Sequence, residues 1–208
     1  MHWAPGAEDG AARTGTLRTD HGEVATPAFM PVGTLATVKG LTSAELRRLG
    51  VGMVLANAYH LHLRPGSEPI RRLGGLHRFM AWDHPILTDS GGYQVFSLAR
   101  LNAIDEDGVT FRSHLDGSRH RFTPERVMEI ETALGADVIM AFDDCAPYPC
   151  DAAGARAAAE RTARWAERCL EAHRRLQASG PWAHRQRLYG IVQGSTYPEL
   201  RRESARAI

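Results

Sequence analysis

Four short, nearly continuous apolar runs recur along the chain, at residues 52–57, 85–88, 136–142 and 187–192. Runs of this length are typical of strands that are buried on both faces of a parallel sheet. Between them, apolar residues recur at spacings of three and four, which predicts amphipathic helices. The alternation of strands and helices predicts a parallel α/β architecture, either an open doubly wound sheet or a (β/α)8 barrel.

Three helices are predicted from their caps and their periodicity. Thr42 and Glu45 have the spacing of a capping box, and Thr123 followed by Pro124 begins a second helix. A third, long helix covers residues 151–177. The residues on one face of this long helix are Ala158, Thr162, Trp165, Cys169, Ala172 and Leu176.

Two stretches alternate polar and apolar residues around turn-forming residues, which predicts hairpins. The first covers residues 15–32 and turns at residues 20–22. The second covers residues 109–122 and turns at residues 116–118. The first hairpin precedes the first of the four apolar runs.

The domain organisation follows from these elements. Residues 1–14 are small and poorly patterned, so we predict a flexible N-terminus before one domain over residues 15–208. The last predicted helix starts near residue 197 and reaches Ile208 without a capping residue. About four βα units cannot close an eight-stranded barrel, so if the fold is a barrel, we expect roughly its first half.

The composition excludes several classes of protein but does not indicate a function. Of the 208 residues, 43% are hydrophobic and 24% charged, which excludes a disordered chain. No apolar run reaches the roughly 20 residues of a membrane span, and no signal peptide is evident, so we predict a cytoplasmic protein. The net charge of +1 does not indicate a nucleic-acid partner. Cys145, Cys150 and Cys169 fit neither a disulfide framework nor a paired metal-binding motif.

Polar side chains follow each of the four predicted strands, at Asn57, Asp89, Asp143 and Gln193. Both candidate architectures place their active sites at the carboxyl ends of parallel strands. No glycine-rich phosphate-binding motif follows the first strand, which disfavours a nucleotide-binding open sheet. The sequence therefore predicts a functional site at this edge of the sheet.

The densest cluster of reactive groups follows the second strand, as Asp89, Ser90, Gly91, Gly92 and Tyr93. A carboxylate fixed at a strand end suits proton transfer or nucleophilic attack, and a tyrosine offers a face for stacking a base. Paired glycines let a ligand approach the backbone closely. The alternative is a tight turn capped by the aspartate, which uses the same residue types.

Two further strand ends supply acids and an amide. Asp143 and Asp144 point to opposite sides of an extended chain, so one of them faces the site; spacing does not decide which, and we choose Asp143. Gln193 adds an amide, and a carboxylate with an amide matches the Watson-Crick edge of guanine. Alternatively, the two aspartates lie in a solvated acidic turn and Gln193 caps a loop. Cys145 is then a small buried hydrophobic residue.

His60 and His62 follow the first predicted strand. In an extended chain these two imidazoles share one face, an arrangement that suits a divalent metal in a barrel hydrolase. No clear third and fourth ligands follow at the strand ends, and isolated histidines are more often structural. We therefore predict no metal in this chain.

Together these motifs resemble the tRNA-guanine transglycosylase family, in its bacterial type. The resemblance begins near Gly15 and continues to the end of the chain. The segments that carry it are residues 26–34 (TPAFMPVGT), 55–66 (LANAYHLHLRPG), 88–95 (TDSGGYQV), 114–125 (HLDGSRHRFTPE), 135–143 (GADVIMAFD), 141–149 (AFDDCAPYP) and 190–195 (GIVQGS).

The resemblance implies a (β/α)8 TIM barrel with an N-terminal antiparallel sheet, and a pentosyltransferase. Its members replace one guanine of tRNA through a covalent ribosyl enzyme. In bacterial members the guanine lies at the anticodon wobble position, and 7-aminomethyl-7-deazaguanine enters on the way to queuosine. The implied partners are tRNA, guanine and 7-deazaguanine bases, and a second copy of the full-length protein as a homodimer. No membrane partner is implied.

The matching positions suggest roles for individual residues. Asp89 corresponds to the general acid and base, and Tyr93 to a residue that stacks on the base. Substrate-binding positions are Asn57, Ser90, Gly91, Gly92, Tyr93, Asp143, Cys145 and Gln193. Among these, Asp143 and Gln193 match the guanine readers. Asp144 and His62 depart from residues common in the family, which are glutamate and methionine.

Other expected parts of the family site have no match in this chain. In the family, the attacking aspartate lies on a later strand, so we expect the fragment alone to be inactive. The structural zinc site of the family lies later still, so we assign no cofactor to this chain. An archaeal-type member acting elsewhere in tRNA and a non-catalytic RNA-binding subunit are the alternatives. The bacterial-style spacing favours the wobble enzyme, and the retained site residues disfavour the non-catalytic subunit.

Overall fold

The computed structural model describes residues 2–98, 102–178 and 186–208. Within these ranges the strands form one four-stranded parallel sheet and two three-stranded antiparallel sheets, and helices follow the parallel strands. The prediction of a mixed α/β protein built on parallel strands is confirmed.

The N-terminal sheet contains β1 (His2–Asp9), β2 (Ala12–Thr19) and β3 (Gly22–Thr26), in that order. Thr19 pairs with Gly22 across the β2–β3 turn, so the first predicted hairpin is confirmed. Residues 2–9, which lie within the N-terminus predicted to be flexible, pair with β2 as β1. Most side chains of β1 are exposed, so its position depends on backbone pairing and leaves no pattern of apolar positions in the sequence.

The central sheet has the order β10-β9-β5-β4, and all of its strands are parallel. Its members are β4 (Val54–Asn57), β5 (Ile86–Asp89), β9 (Val138–Met140) and β10 (Arg187–Tyr189). Each lies within one of the four predicted apolar runs or extends it by one residue. The register pairs Asn57 with Asp89, which aligns the carboxyl ends of β4 and β5.

The third sheet contains β6 (Asn102–Ile104), β7 (Val109–Arg112) and β8 (Arg119–Phe122). Phe111 pairs with His120 across the β7–β8 hairpin, so the second predicted hairpin is confirmed. Strand β6 was not predicted. It has only three residues, which are too few to show an alternating pattern.

The described helices are α1 (Ser43–Arg48), α2 (Ala58–Leu63), α3 (Ser67–Arg72), α4 (Gly75–Met80), α5 (Gly92–Leu98), α6 (Pro124–Leu134), α7 (Ala152–Gln177) and α8 (Pro198–Ala207). The capping box of Thr42 and Glu45 is present, and Thr123 caps α6 as predicted. Gly135 ends α6 with a φ of 76°, a conformation that glycine adopts without strain. Helices α2 to α5 were not predicted individually, since six or seven residues give too little periodicity.

Helix α7 packs against α6 and against the segment that follows β9, and most of its predicted face is buried. The ring of Trp165 stacks on Phe142 with centroids 5.0 Å apart, and its indole Nε1 donates to the carbonyl oxygen of Glu106 at 2.8 Å. Burial raises the pKa of the Cys169 thiol to about 12, so this cysteine serves as a small core side chain. The predicted face of the helix is therefore the one that packs.

An apolar cavity of about 350 Å³ lies between the N-terminal sheet and the parallel sheet. Its lining includes Leu17, Val24, Met53, Leu87, Val138 and Met140. The two sheets thus share an apolar space that neither fills completely. None of the described helices is both long and apolar enough to span a membrane.

Replacement of Trp165 by alanine should lower the free energy of unfolding by about 3–5 kcal/mol, because it removes a fully buried ring and leaves a cavity. Urea unfolding followed by circular dichroism measures this change. Leu170→Ala on the same helix is the control, since Leu170 is 40% exposed and lies outside the buried face, and it should cost less than about 1 kcal/mol. Equal losses for the two variants would contradict the packing described for α7.

Candidate active site

The carboxyl edge of the parallel sheet brings the predicted polar residues together. Asn57 and Asp89 are the last residues of β4 and β5, and Asp143 and Gln193 lie in the segments that follow β9 and β10. Hydrogen bonds join Asn57 to Asp89 and Asp143 to Gln193. These four residues form one polar site, although Asn57 and Gln193 lie 136 positions apart in the sequence.

Hydrogen bonds to both oxygens fix the carboxylate of Asp89. Asn57 Nδ2 donates to Oδ2 at 2.7 Å, and the backbone N–H of Gly91 donates to Oδ1 at 2.9 Å. Asn57 is itself oriented, because its Oδ1 caps α2 by accepting from the N–H of His60 at 3.1 Å. The side chain of Asp89 is therefore a positioned, half-buried carboxylate at the rim of the sheet.

Asp143 is more deeply buried, with 8% of its surface exposed. Gln193 Nε2 donates to Oδ2 at 2.7 Å, and the Ser90 hydroxyl donates to Oδ1 at 3.4 Å. Burial and the neighbouring charge of Asp89 raise the pKa of Asp143 to about 7, although the bond from Gln193 acts in the opposite direction. Asp143 can therefore change protonation state near neutral pH.

Asp144 faces away from this pair. Its carboxylate forms an ion pair with Arg161, and its backbone N–H donates to Thr162 Oγ1 at 3.0 Å. Both partners lie on α7. Of the two adjacent acids, the structure thus places Asp143 at the polar site and uses Asp144 to hold the loop against α7.

The two glycines after Ser90 are required by close contacts. A Cβ on Gly92 would lie 2.1 Å from Asp143 Oδ1. Gly91 has a φ of 87°, and a Cβ there would lie 2.7 Å from Cβ of Tyr59. Glycine at these positions allows the chain to turn between Asp89 and α5 directly beside the Asp143 carboxylate.

Tyr93 and Cys145 complete the predicted set. Tyr93 lies in the first turn of α5 and is 58% exposed, so its ring is accessible for stacking. Burial raises the pKa of the Cys145 thiol, and the charges of Asp143 and Asp144 raise it further. Cys145 is consequently a neutral, half-buried thiol at neutral pH rather than a nucleophilic thiolate.

The metal-binding histidine pair considered from the sequence is not formed. His60 and His62 lie in α2, where residues two apart point to nearly opposite sides, and not in a strand. The His60 ring contacts His114, whereas the His62 ring contacts His120 and Phe122. Burial lowers the pKa of His62 to about 4, which is consistent with a neutral, packed imidazole.

One buried acid was not predicted from the sequence. Glu131 in α6 is fully buried and accepts a hydrogen bond from the hydroxyl of Thr88, the residue before Asp89. Burial raises the pKa of Glu131 well above its usual range, and the charge of Asp89 adds to this shift. A signal was available, because Glu131 lies four residues after Val127 and therefore on the apolar face of its helix.

The fold and the site define an α/β protein with an acid-and-amide pocket at the carboxyl edge of its parallel sheet. The family model described as "Queuine tRNA-ribosyltransferase" matches residues 8–208. The chain belongs to this family.

Curated relatives agree with the family match. A protein from Desulforamulus reducens is 59% identical over 197 residues, which are 95% of this chain and 51% of the relative. Proteins from Pelotomaculum thermopropionicum and Gloeobacter violaceus are 59% and 57% identical over 97% and 96% of the chain. All three are named "Queuine tRNA-ribosyltransferase". The chain spans about half the length of the curated relatives that it matches.

Asp143 should make the stability of the protein depend on pH. Its folded pKa of about 7 lies above the unfolded value of about 3.9, so the folded state binds the proton more tightly between these pH values. Stability should therefore fall as the pH rises from about 4 to about 7, by up to about 4 kcal/mol from this group.

Urea unfolding at several pH values, for the wild type and Asp143→Asn, isolates the contribution of this group. The wild type should lose stability relative to the variant as the pH rises, because asparagine does not titrate. A difference between the two proteins that stays constant from pH 4 to pH 7 would show that the pKa of Asp143 is not raised.

Proposed function

We propose that this protein, in its natural length, replaces a guanine of tRNA with a 7-deazaguanine base. The proposed target is the anticodon wobble position, and the proposed incoming base is 7-aminomethyl-7-deazaguanine, for queuosine biosynthesis. Family membership supports the reaction. The observation that carries the proposal is the joined pair of Asp143 and Gln193 beside the fixed carboxylate of Asp89.

The pair is chemically suited to a guanine. The N1 and N2 hydrogens of guanine are donors and its O6 is an acceptor, so a carboxylate and an amide donor complement that edge. Asp143 supplies the carboxylate and Gln193 Nε2 the donor, and their mutual bond at 2.7 Å holds them side by side. Binding of a base that donates to Asp143 favours its ionised form and so lowers its pKa.

Asp89 is positioned for proton transfer to or from the exchanged base. Its carboxylate is held by Asn57 and by the N–H of Gly91, so its orientation is fixed before a ligand arrives. The exposed ring of Tyr93 offers a stacking face near the same glycine turn. Ser90, Gly91 and Gly92 would shape this pocket, with Cys145 lining it and Asn57 facing the ribose.

A retaining exchange also needs a carboxylate that attacks the anomeric carbon. We assign that role to an aspartate beyond Ile208, as the resemblance to the family implies. In the same way we propose a (β/α)8 barrel for the full-length protein, in which further strands would cover the apolar space beside Leu87 and Val138. The homodimer, the structural zinc of the full-length protein and the cytoplasmic location also remain predictions.

Base binding tests the pocket. Asp143→Asn should weaken the binding of guanine by about ten- to a hundredfold, because it removes a charged acceptor of two hydrogen bonds. Isothermal titration calorimetry of the protein in its natural length with guanine and with 7-aminomethyl-7-deazaguanine measures the loss.

Asp144→Asn is the matched control, since the same chemical change is made on a carboxylate that faces Arg161 instead of the pocket. It should bind both bases as the wild type does. Binding that is equally weakened in the two variants, or wild-type protein that binds neither base, would contradict the pocket assignment.

Exchange activity tests the role of Asp89. In the protein of natural length, Asp89→Asn should reduce the incorporation of labelled guanine into tRNA at least about a hundredfold, because asparagine cannot transfer the proton. The variant should still bind guanine through Asp143 and Gln193. Undiminished incorporation would exclude Asp89 as the acid and base, and a wild type that binds bases without exchanging them would favour a non-catalytic subunit.

A further inference from the structure

A second cluster of ionisable residues lies at the amino-terminal edge of the parallel sheet, opposite the candidate active site. Asp137 directly precedes β9, His21 lies in the turn between β2 and β3, and His77 lies in α4. His21 Nδ1 is 2.7 Å from Asp137 Oδ1, and His77 Nε2 is 3.1 Å from Asp137 Oδ2. Three separate elements thus converge on one carboxylate.

Asp137 is a buried acid that is held by two imidazoles and one backbone N–H. It is 3% exposed, and among the described residues its ion-pair partners are the two histidines. The backbone N–H of Ile86 donates a third bond to Oδ2 at 2.9 Å. No lysine or arginine among the described residues forms an ion pair with Asp137, and a bound metal ion would supply a full positive charge beside this buried carboxylate.

We propose that His21, His77 and Asp137 form a binding site for a divalent transition-metal ion of the zinc type. The three ligand atoms lie within 4.8 Å of one another. Two imidazole nitrogens and one carboxylate are a ligand set that zinc accepts, with water in the fourth position. The side chain of His21 is 31% exposed, so water can reach the ion from that side.

Metal binding requires one local rearrangement. The His21 and His77 rings are stacked with centroids 3.6 Å apart and planes 15° apart. Because the lone pair of an imidazole nitrogen lies in the plane of its ring, two parallel rings cannot both direct a nitrogen at one ion. The ring of His21 turns out of the stack on binding, and its partly exposed place in a hairpin turn gives it room to do so.

The site would stabilise the fold rather than take part in the exchange reaction. Ile86, which donates to Asp137, begins β5, and Asp89 ends it, so the two clusters are roughly 10 Å apart along the strand. An ion at Asp137 would join the β2–β3 hairpin and α4 to the parallel sheet. This inference does not depend on the proposed function, and its test needs no activity.

Titration of the metal-free 208-residue chain with Zn²⁺ tests the site. Calorimetry should detect one ion bound per chain, and Zn²⁺ should raise the melting temperature. His21→Gln and His77→Gln should each weaken binding at least about tenfold, since losing even a residue that orients a metal ligand costs that much. His84→Gln is the matched control, because His84 is partly exposed and lies outside the cluster; it should bind as the wild type does.

His21→Gln is the decisive variant, since its side chain lies in a turn and its replacement disturbs the core least. Circular dichroism establishes that it is folded, and the Co²⁺ form distinguishes nitrogen and oxygen ligands from the thiolates of the free cysteines by its absorption spectrum. Absence of binding by the wild type, unchanged affinity in His21→Gln, or a thiolate-to-cobalt band would each overturn the proposal.

Discussion

Parallel pairing of four strands is the constraint on which the rest of this structure depends. In a parallel sheet all carboxyl ends meet at one edge and all amino ends at the other. The register of β4 and β5 then pairs Asn57 with Asp89, and the amide lies 2.7 Å from the carboxylate. Asp143 and Gln193 reach the same edge from the next two strands in the sheet order.

The candidate active site concentrates acids that would repel one another if all were ionised. Each of these acids has different partners or a different degree of burial. Asp89 receives an amide and a backbone donor, Asp144 has Arg161, and Glu131 is buried deeply enough that the neutral acid is favoured. Burial and the charge of Asp89 raise the pKa of Asp143 to about 7. The two buried acids Asp143 and Glu131 therefore keep their protons to a higher pH than an exposed carboxyl group does.

The two edges of the sheet also differ in the partners of their buried acids. At the carboxyl edge, Asp143 has an amide and a hydroxyl as hydrogen-bond donors. At the amino edge, Asp137 has two imidazoles, and these interactions lower the pKa of Asp137 in spite of its burial. The candidate active site and the cluster around Asp137 are thereby separated by the length of strand β5.

The sequence by itself determined the parallel strands, the two hairpins, the capped helices α1, α6 and α7, and the residues that follow each strand, because these depend on local periodicity and turn chemistry. It did not determine β1, whose exposed side chains show no pattern, or the six- and seven-residue helices. Only the tertiary structure decided that Asp143 and not Asp144 joins Gln193, and that His60 and His62 are separated on a helix. The tertiary structure also decided the contact between Glu131 and Thr88 and the cluster around Asp137. In both cases the residues are far apart in the chain, so no local pattern in the sequence predicts their contact.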